Sequence, residues 1–404
     1  MAEVFQISRH SPNQESGSGF QQSTKEELWK QVEDHAGTGI GTSSDSLMAS
    51  FYQGLLAHSQ KDPTIIDMMA QAVKERSTSD RPIDPNHMSF VVVYAINYLM
   101  MFGKKYQNYP EYFQLHDSPE NWHHVFNAVL EDEELTTELA KLLREKELMS
   151  PVAERGNSIP FFVWQVCGDK QPVTAMDLGS SLGFPWMSAI RDTADNYPPF
   201  DDQTEYKGRT ELLKAARARP LAVNTLYLMD HTDPRKDRDW IRACRYPGYA
   251  TAEGVQQMDE LMKRYAWGSD PKVNFIQGDV LLVDKMPDQG LVGGAIDVVT
   301  ANKLMYELSP EARARLTEEI MPGLISDSGI AIVQDTVKTK CGKLRVSDTR
   351  DPWTSKTAIF GAITNYQWWI VLKHKTGRCD ATRNGPDFKK FMEVTTSLPH
   401  NNPQ

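Results

Sequence analysis

Cysteine is scarce in this chain: Cys167, Cys244, Cys341 and Cys379 lie far apart and make no C-x-x-C pair. That spacing signals neither a disulfide framework nor a thiolate zinc site, and a reducing, cytoplasmic setting fits it best. Basic tracts are missing as well. With 54 acids against 44 bases and a net charge of −10, the chain lacks the footprint that follows a phosphate backbone, so no nucleic-acid partner is expected. The basic clusters 207–219 and 235–245 read as solvated helix faces. No apolar run reaches the ~20 residues needed to cross a bilayer. The longest, Met88 to Phe102, is broken by Asn97 and reads as a buried helix, so no membrane is expected. Residues 1–22 are polar, without the apolar segment of a secretory signal, and read as a tail. The pair His123-His124 lacks a third ligand at helical spacing, so no metal is expected.

What is present divides the 404 residues into two parts, an organisation that this length permits. Residues 23–150 read as helical. Ser23-Thr24-Lys25-Glu26 has the form of a capping box, and Leu47, Met48, Phe51, Leu55 and Leu56 recur at helical spacing. A similar pattern covers Ile65 to Val73. Leu130 to Leu148 carries acids at its start and Lys141, Arg144 and Lys146 towards its end, which suits the helix dipole.

Residues 151–394 read as α/β, with 395–404 a short tail. The run VTAMDLGSSLGFPW, Val173 to Trp186, is a strand closing on Asp177, a turn with Gly179 and Gly183, and a helix start. Glycine tolerates positive φ and lets backbone pass close to a ligand, while free N–H groups at a helix start make a polar, weakly positive cradle. A polar cofactor is expected there. A dinucleotide site would need G-x-G-x-x-G and a triphosphate loop would need Lys-Ser/Thr after its last glycine; the turn has neither.

Asp-x-Gly-x-x-x-Gly after a strand resembles the first motif of class I S-adenosylmethionine (SAM)-dependent methyltransferases. Four further segments follow in the order that family requires. Asn224 to Met229 closes on Asp230, Val273 to Ile276 leads into Gly278-Asp279-Val280, and Ala295 to Thr300 runs into Ala301-Asn302. Met321 to Leu324 and Ser328 to Val333 match a helix end with a Pro-Gly turn and a fifth strand. A closing antiparallel hairpin is expected over Thr357 to Lys373. The resemblance implies a Rossmann-like methyltransferase fold, a mostly parallel sheet with a C-terminal antiparallel hairpin, behind a helical N-terminal region. A long first crossover, from Asp177 to Asp230 with an insertion over Asn196 to Gly208, together with Asp233-Pro234 through Trp240 after the second strand, also resembles an uncharacterised bacterial family of that layout, which brings no known reaction.

The resemblance implies SAM as cofactor, with Asp177, Gly179, Ser180, Ser181 and Gly183 near its methionyl part. Asp230 is then the ribose acid, with Gly278, Asp279, Val280, Thr300 and Ala301 bordering the adenine and the fourth strand's end. Tyr306, Asn302 and His231 are the catalytic candidates, with Glu307 and Asp335 as further groups able to accept a proton. Asn157, Phe161, Trp164 and Tyr206 are expected to line a substrate pocket; for the aromatics, core packing is the competing reading. The expected function is methyl transfer to a small-molecule substrate, plausible in secondary metabolism. Ring closure of SAM itself, aminocarboxypropyl transfer releasing methylthioadenosine, and a non-catalytic SAM-binding scaffold are the alternatives.

Overall fold

The computed structural model describes residues 17–38, 46–103, 118–149, 159–160, 163, 172–193, 221–244, 252–285, 293–302, 304–336, 355–362 and 367–374. Two compact units result. One holds residues 1–77, 83–148 and 246–248, and the other residues 78–82, 149–245 and 249–404.

The first unit is built, among its described residues, from α1 Gly17–Thr38, α2 Ser46–Ser59, α3 Thr64–Arg76, α4 Pro85–Phe102, α5 Pro119–Leu130 and α6 Glu133–Glu145. α1 starts at Gly17, so the Ser23 capping-box sequence lies inside the helix instead of at its start. No Gly or Pro interrupts residues 20–36, and nothing there stops the helix from extending back. Elsewhere the starts are capped as their sequences dictate. Asp84 accepts from Asn86 N–H at 2.8 Å, and Asp132 accepts from the N–H groups of Glu134 and Leu135. In α6, Leu135, Leu139, Leu142 and Leu143 form one buried stripe, whereas α4 is buried over nearly its whole length. The core of this unit is aromatic. Phe51 meets Trp122 and Phe126 edge-on, with ring centroids 4.9 and 5.3 Å apart. Gly54 permits this approach, since a Cβ there would lie 2.5 Å from Trp122 Cβ.

The second unit is organised by a seven-stranded sheet of β1 Val173–Leu178, β2 Val223–Asp230, β3 Val273–Gln277, β4 Ile296–Asn302, β5 Ile325–Thr336, β6 Ser355–Ala362 and β7 Gln367–His374. Their order is β3-β2-β1-β4-β5-β7-β6. The first five strands pair in parallel, and β7 runs antiparallel to both β5 and β6. β4 is buried along its full length, as a central strand covered on both faces must be. The expected Pro-Gly turn before β5 is instead helical. A π turn, Leu316–Ile320, runs into a last helical turn, Met321–Leu324. Pro322 has no N–H to donate, and a widened turn accommodates the missing bond.

Candidate functional site

Parallel strands open their carboxyl ends on one edge of the sheet, and ligands of such sheets bind there, where the strand order reverses. That point falls here between β1 and β4. Register brings the acids and the turn together: Asp177 is paired with Thr300, and Leu178 with both Met229 and Ala301. Gly179 therefore follows the strand end directly beside Asp230.

The turn has the backbone its glycines allow. Gly179 and Gly183 both have φ of 68°, and Ser181 lies at 47°. Ser181 N–H donates to Asp230 Oδ2 at 2.7 Å, tying the β1 turn to the end of β2, while Ser180 N–H donates to Met229 C=O at 2.9 Å. Gly278 N–H donates to Asp230 C=O at 2.9 Å, so the start of the loop after β3 is fixed to the same residue. Burial pushes the Asp230 carboxyl up; the N–H groups of Ser181, Thr232 and His231 and the positive charge of Arg81 pull it back. Helix α7, Phe184–Arg191, then starts at Gly183 with Pro185 in its first turn.

Below the turn lies a buried polar chain. Trp186 Nε1–H donates to Thr300 Oγ1 at 2.7 Å, and the Thr300 hydroxyl donates to Asp177 Oδ1 at 2.6 Å. Asn302 Nδ2 donates to the same oxygen at 3.3 Å. Asp177 is 1% exposed, and burial pushes its carboxyl up to about 7 against the pull of Thr300 and Asn302. An acid raised in the folded state stabilises the fold fully below its unfolded value near 4. That contribution is lost as pH rises through about 7. Asp177→Asn removes this dependence. Chemical denaturation is expected to show the variant gaining roughly 1–4 kcal/mol on the wild type between pH 4 and pH 7.5, with little difference at pH 4. Parallel pH profiles would show that Asp177 is not the titrating group.

The structure gathers most of the sequence-derived residues on this edge, in differing roles. Gly179, Ser180, Ser181, Gly183 and Asp230 form the cradle. Asp177, Thr300 and Asn302 support it from within, and Ala301 belongs to the apolar core under it. Asp279 accepts from Leu281 N–H at 2.9 Å and opens a 3-10 turn, Val280–Lys285, in which Val280 is buried. His231 is exposed, its C=O accepting from Gln277 Nε2 at 3.3 Å. Tyr306 falls in a 3-10 turn, Met305–Glu307, just past β4; its side chain lies outside the described residues, as does that of Asp335. Asn157, Phe161, Trp164 and Tyr206 lie outside them altogether. Three contributors carry no sequence role above: Trp186, Thr232 and Arg81. An indole at a helix start, a threonine after an acid and an arginine in a distant loop give no local signal of the partners they meet.

Among the described strands only the β6–β7 hairpin departs from parallel pairing, the arrangement that the family resemblance implied. The fold is that of the class I methyltransferases. No family model matches the chain, and no curated protein matches it. Among solved structures, it is similar to a 1,6-didemethyltoxoflavin N1-methyltransferase from Burkholderia thailandensis, solved with S-adenosylhomocysteine. That match has 12% identity over 63% of this chain and 90% of that one, with a TM-score of 0.31. An rRNA methyltransferase from Streptomyces viridochromogenes matches at 15% identity over 60% and 91%, with a TM-score of 0.33. A magnesium protoporphyrin IX methyltransferase from Synechocystis, also with S-adenosylhomocysteine, matches at 12% identity over 55% and 83%, with a TM-score of 0.28. At such TM-scores the likenesses add no argument; the strand order of this methyltransferase-like sheet carries the fold. Among the described residues, no group of three His, Cys, Asp or Glu is placed to hold a metal ion, and no helix is long and apolar enough to cross a membrane.

Proposed function

We propose that this chain binds SAM on the glycine turn and transfers its methyl group to a small-molecule acceptor. One observation carries the reading. Ser181 Oγ, Thr232 Oγ1 and Asn302 Oδ1 are buried polar atoms without a hydrogen-bond partner among the described residues, and all three belong to the strand-end edge around Asp177 and Asp230. Each unpaired buried group costs about 1–3 kcal/mol, and a ligand rich in donors and acceptors offsets that cost. A cradle of this kind, next to a half-buried carboxylate, fits a nucleoside joined to an amino acid.

Bound SAM supplies a methyl group on a sulfonium, an electrophile that needs positioning more than covalent help. In this assignment the backbone from Gly179 to Gly183 faces the methionyl part. Asp230 accepts from the ribose hydroxyls, and Asp279 borders the adenine. Asp177, braced by Thr300 and Asn302, holds the strand end still while the acceptor is aligned. Tyr306 is assigned to the acceptor side, where a phenol hydrogen-bonds the nucleophile or faces the sulfonium. The acidic balance of the chain supports a small acceptor over a nucleic acid.

Calorimetry with SAM, then product analysis with a metabolite mixture, tests the reading. Micromolar binding and release of S-adenosylhomocysteine are expected. Methylthioadenosine in its place would overturn methyl transfer in favour of attack on the aminocarboxypropyl chain, and binding without either product would favour a scaffold. In the same assay Tyr306→Phe is expected to lower kcat about 10- to 100-fold with SAM affinity unchanged, the pattern of a group acting at the reacting end. Equal turnover would remove Tyr306 from the mechanism.

A further inference from the structure

Residues 78–82 belong to the sheet-bearing unit, although the segments on either side of them belong to the helical one. They form a self-closed turn: Thr78 N–H donates to Arg81 C=O at 3.1 Å, and Arg81 N–H donates to Thr78 Oγ1 at 3.0 Å. From this turn Arg81 Nη2 reaches Glu307 Oε2 at 3.0 Å, with both side chains about four-fifths buried. Beside it, Ser309 N–H donates to Asp80 C=O at 2.9 Å. Two bonds therefore fasten the strap 78–82 to the turn after β4.

That turn is also held from its other side, where Arg313 Nε donates to Met305 C=O at 2.6 Å. Its first residue, Leu304, packs its side chain against the glycine cradle: a Cβ at Gly179 would lie 3.2 Å from Leu304 Cδ1. The location of Arg81 follows from the strand order. It bonds a residue after β4, its charge reaches Asp230 at the end of β2, and β1 with its glycine turn lies between those two strands. The guanidinium thus lies at the carboxyl edge of the sheet, bonded to the turn after β4.

From this geometry we infer that Arg81 is a positioning residue of the ligand site, holding the turn 304–309 against the glycine cradle through its ion pair with Glu307. Its effect on SAM rests on the cofactor reading above, whereas its hold on the turn does not. A loosened turn withdraws Leu304 from Gly179 and opens the wall on which the ligand is seated. A largely buried ion pair constrains a loop more than an exposed one, because the competing water is mostly excluded.

The test uses the full chain and four variants: Arg81→Gln, Glu307→Gln, the pair of these, and the exchange Arg81→Glu with Glu307→Arg. Amide hydrogen exchange is followed on peptides covering 304–309, and SAM binding by calorimetry on the same samples. Each single variant is expected to speed exchange in that turn, Ser309 above all, and to weaken SAM binding, each about fivefold. The double variant should be no worse than either single, and the exchange pair should recover the slow exchange of the turn. Unchanged exchange in the turn of Arg81→Gln, or additive effects in the double variant, would overturn the inference; if Arg81→Gln does not fold, Glu307→Gln and the exchange pair decide. Faster exchange with no SAM binding even in the wild type would leave the strap standing and refute the cofactor assignment. Altered exchange with SAM affinity unchanged would confine Arg81 to structure and refute its role at the site.

Discussion

Gly179→Val is expected to abolish measurable SAM binding, a loss of at least about 100-fold in calorimetry, in a protein that still folds. Gly179 holds a φ of 68°, where a β-branched residue is strained, and its missing side chain leaves Leu304 room at 3.2 Å from the Cβ position. Valine therefore both pushes the turn out of shape and displaces Leu304 from its seat against the cradle. Gly183→Val is the harsher change for the fold. Its Cβ would sit 2.6 Å from Cδ1 of Leu228, a fully buried residue of β2. Comparing the two separates cradle from core: circular dichroism should show a native spectrum for Gly179→Val and a markedly lower Tm for Gly183→Val. Undiminished SAM affinity in folded Gly179→Val would dismiss the glycine turn as the cofactor site.

Asp230→Ala is expected to weaken SAM binding by about 10- to 150-fold, the equivalent of roughly 1.5–3 kcal/mol for losing a charged acceptor. The residue also accepts Ser181 N–H at 2.7 Å, so its removal frees the turn as well as the ribose contact. Asp230→Asn distinguishes the two effects, since the carboxamide oxygen still accepts from Ser181 while the charge is gone. An intermediate affinity for Asn is the anticipated order. Should Asp230→Ala bind as wild type does, the ribose role passes elsewhere, and Asp233 is a poor successor because both its oxygens are held by Arg235 at 2.8 and 2.7 Å.

The strands that carry the site were legible because buried parallel strands are short apolar runs, and each of the first three ends on or beside an acid or glycine that breaks the run. Asp177, Asp230 and Gly278 mark those ends in the sequence as clearly as in the fold. The partners of these acids were not legible. Thr300 donates to Asp177 across 123 residues of chain, and Trp186 reaches Thr300 across 114. Such pairings arise only once β1 and β4 lie side by side, so no local pattern encodes them. Asn302 illustrates the cost: its position after β4 drew a catalytic reading, while its Nδ2 is turned onto Asp177. Arg81 was the least visible, since Thr-Ser-Asp-Arg-Pro reads as an ordinary loop between two helices.

The strap has a consequence for how the molecule is made. Arg81 and Glu307 are 226 residues apart, and at about 5–20 residues per second a ribosome needs roughly 10–45 s to deliver the second after the first. For most of that interval the segments of the helices on both sides of residues 78–82 have been synthesised, but the strap's partner turn has not. The segment must stay unengaged until β4 emerges, so the fastening of strap to turn comes late in assembly. A cut near residue 149 that appears to separate helices from sheet would leave the sheet without residues 78–82. A fragment beginning there is expected to build its strands and yet hold the turn 304–309 loosely, and adding the five-residue strap as a free peptide would face the entropy that the intact chain avoids.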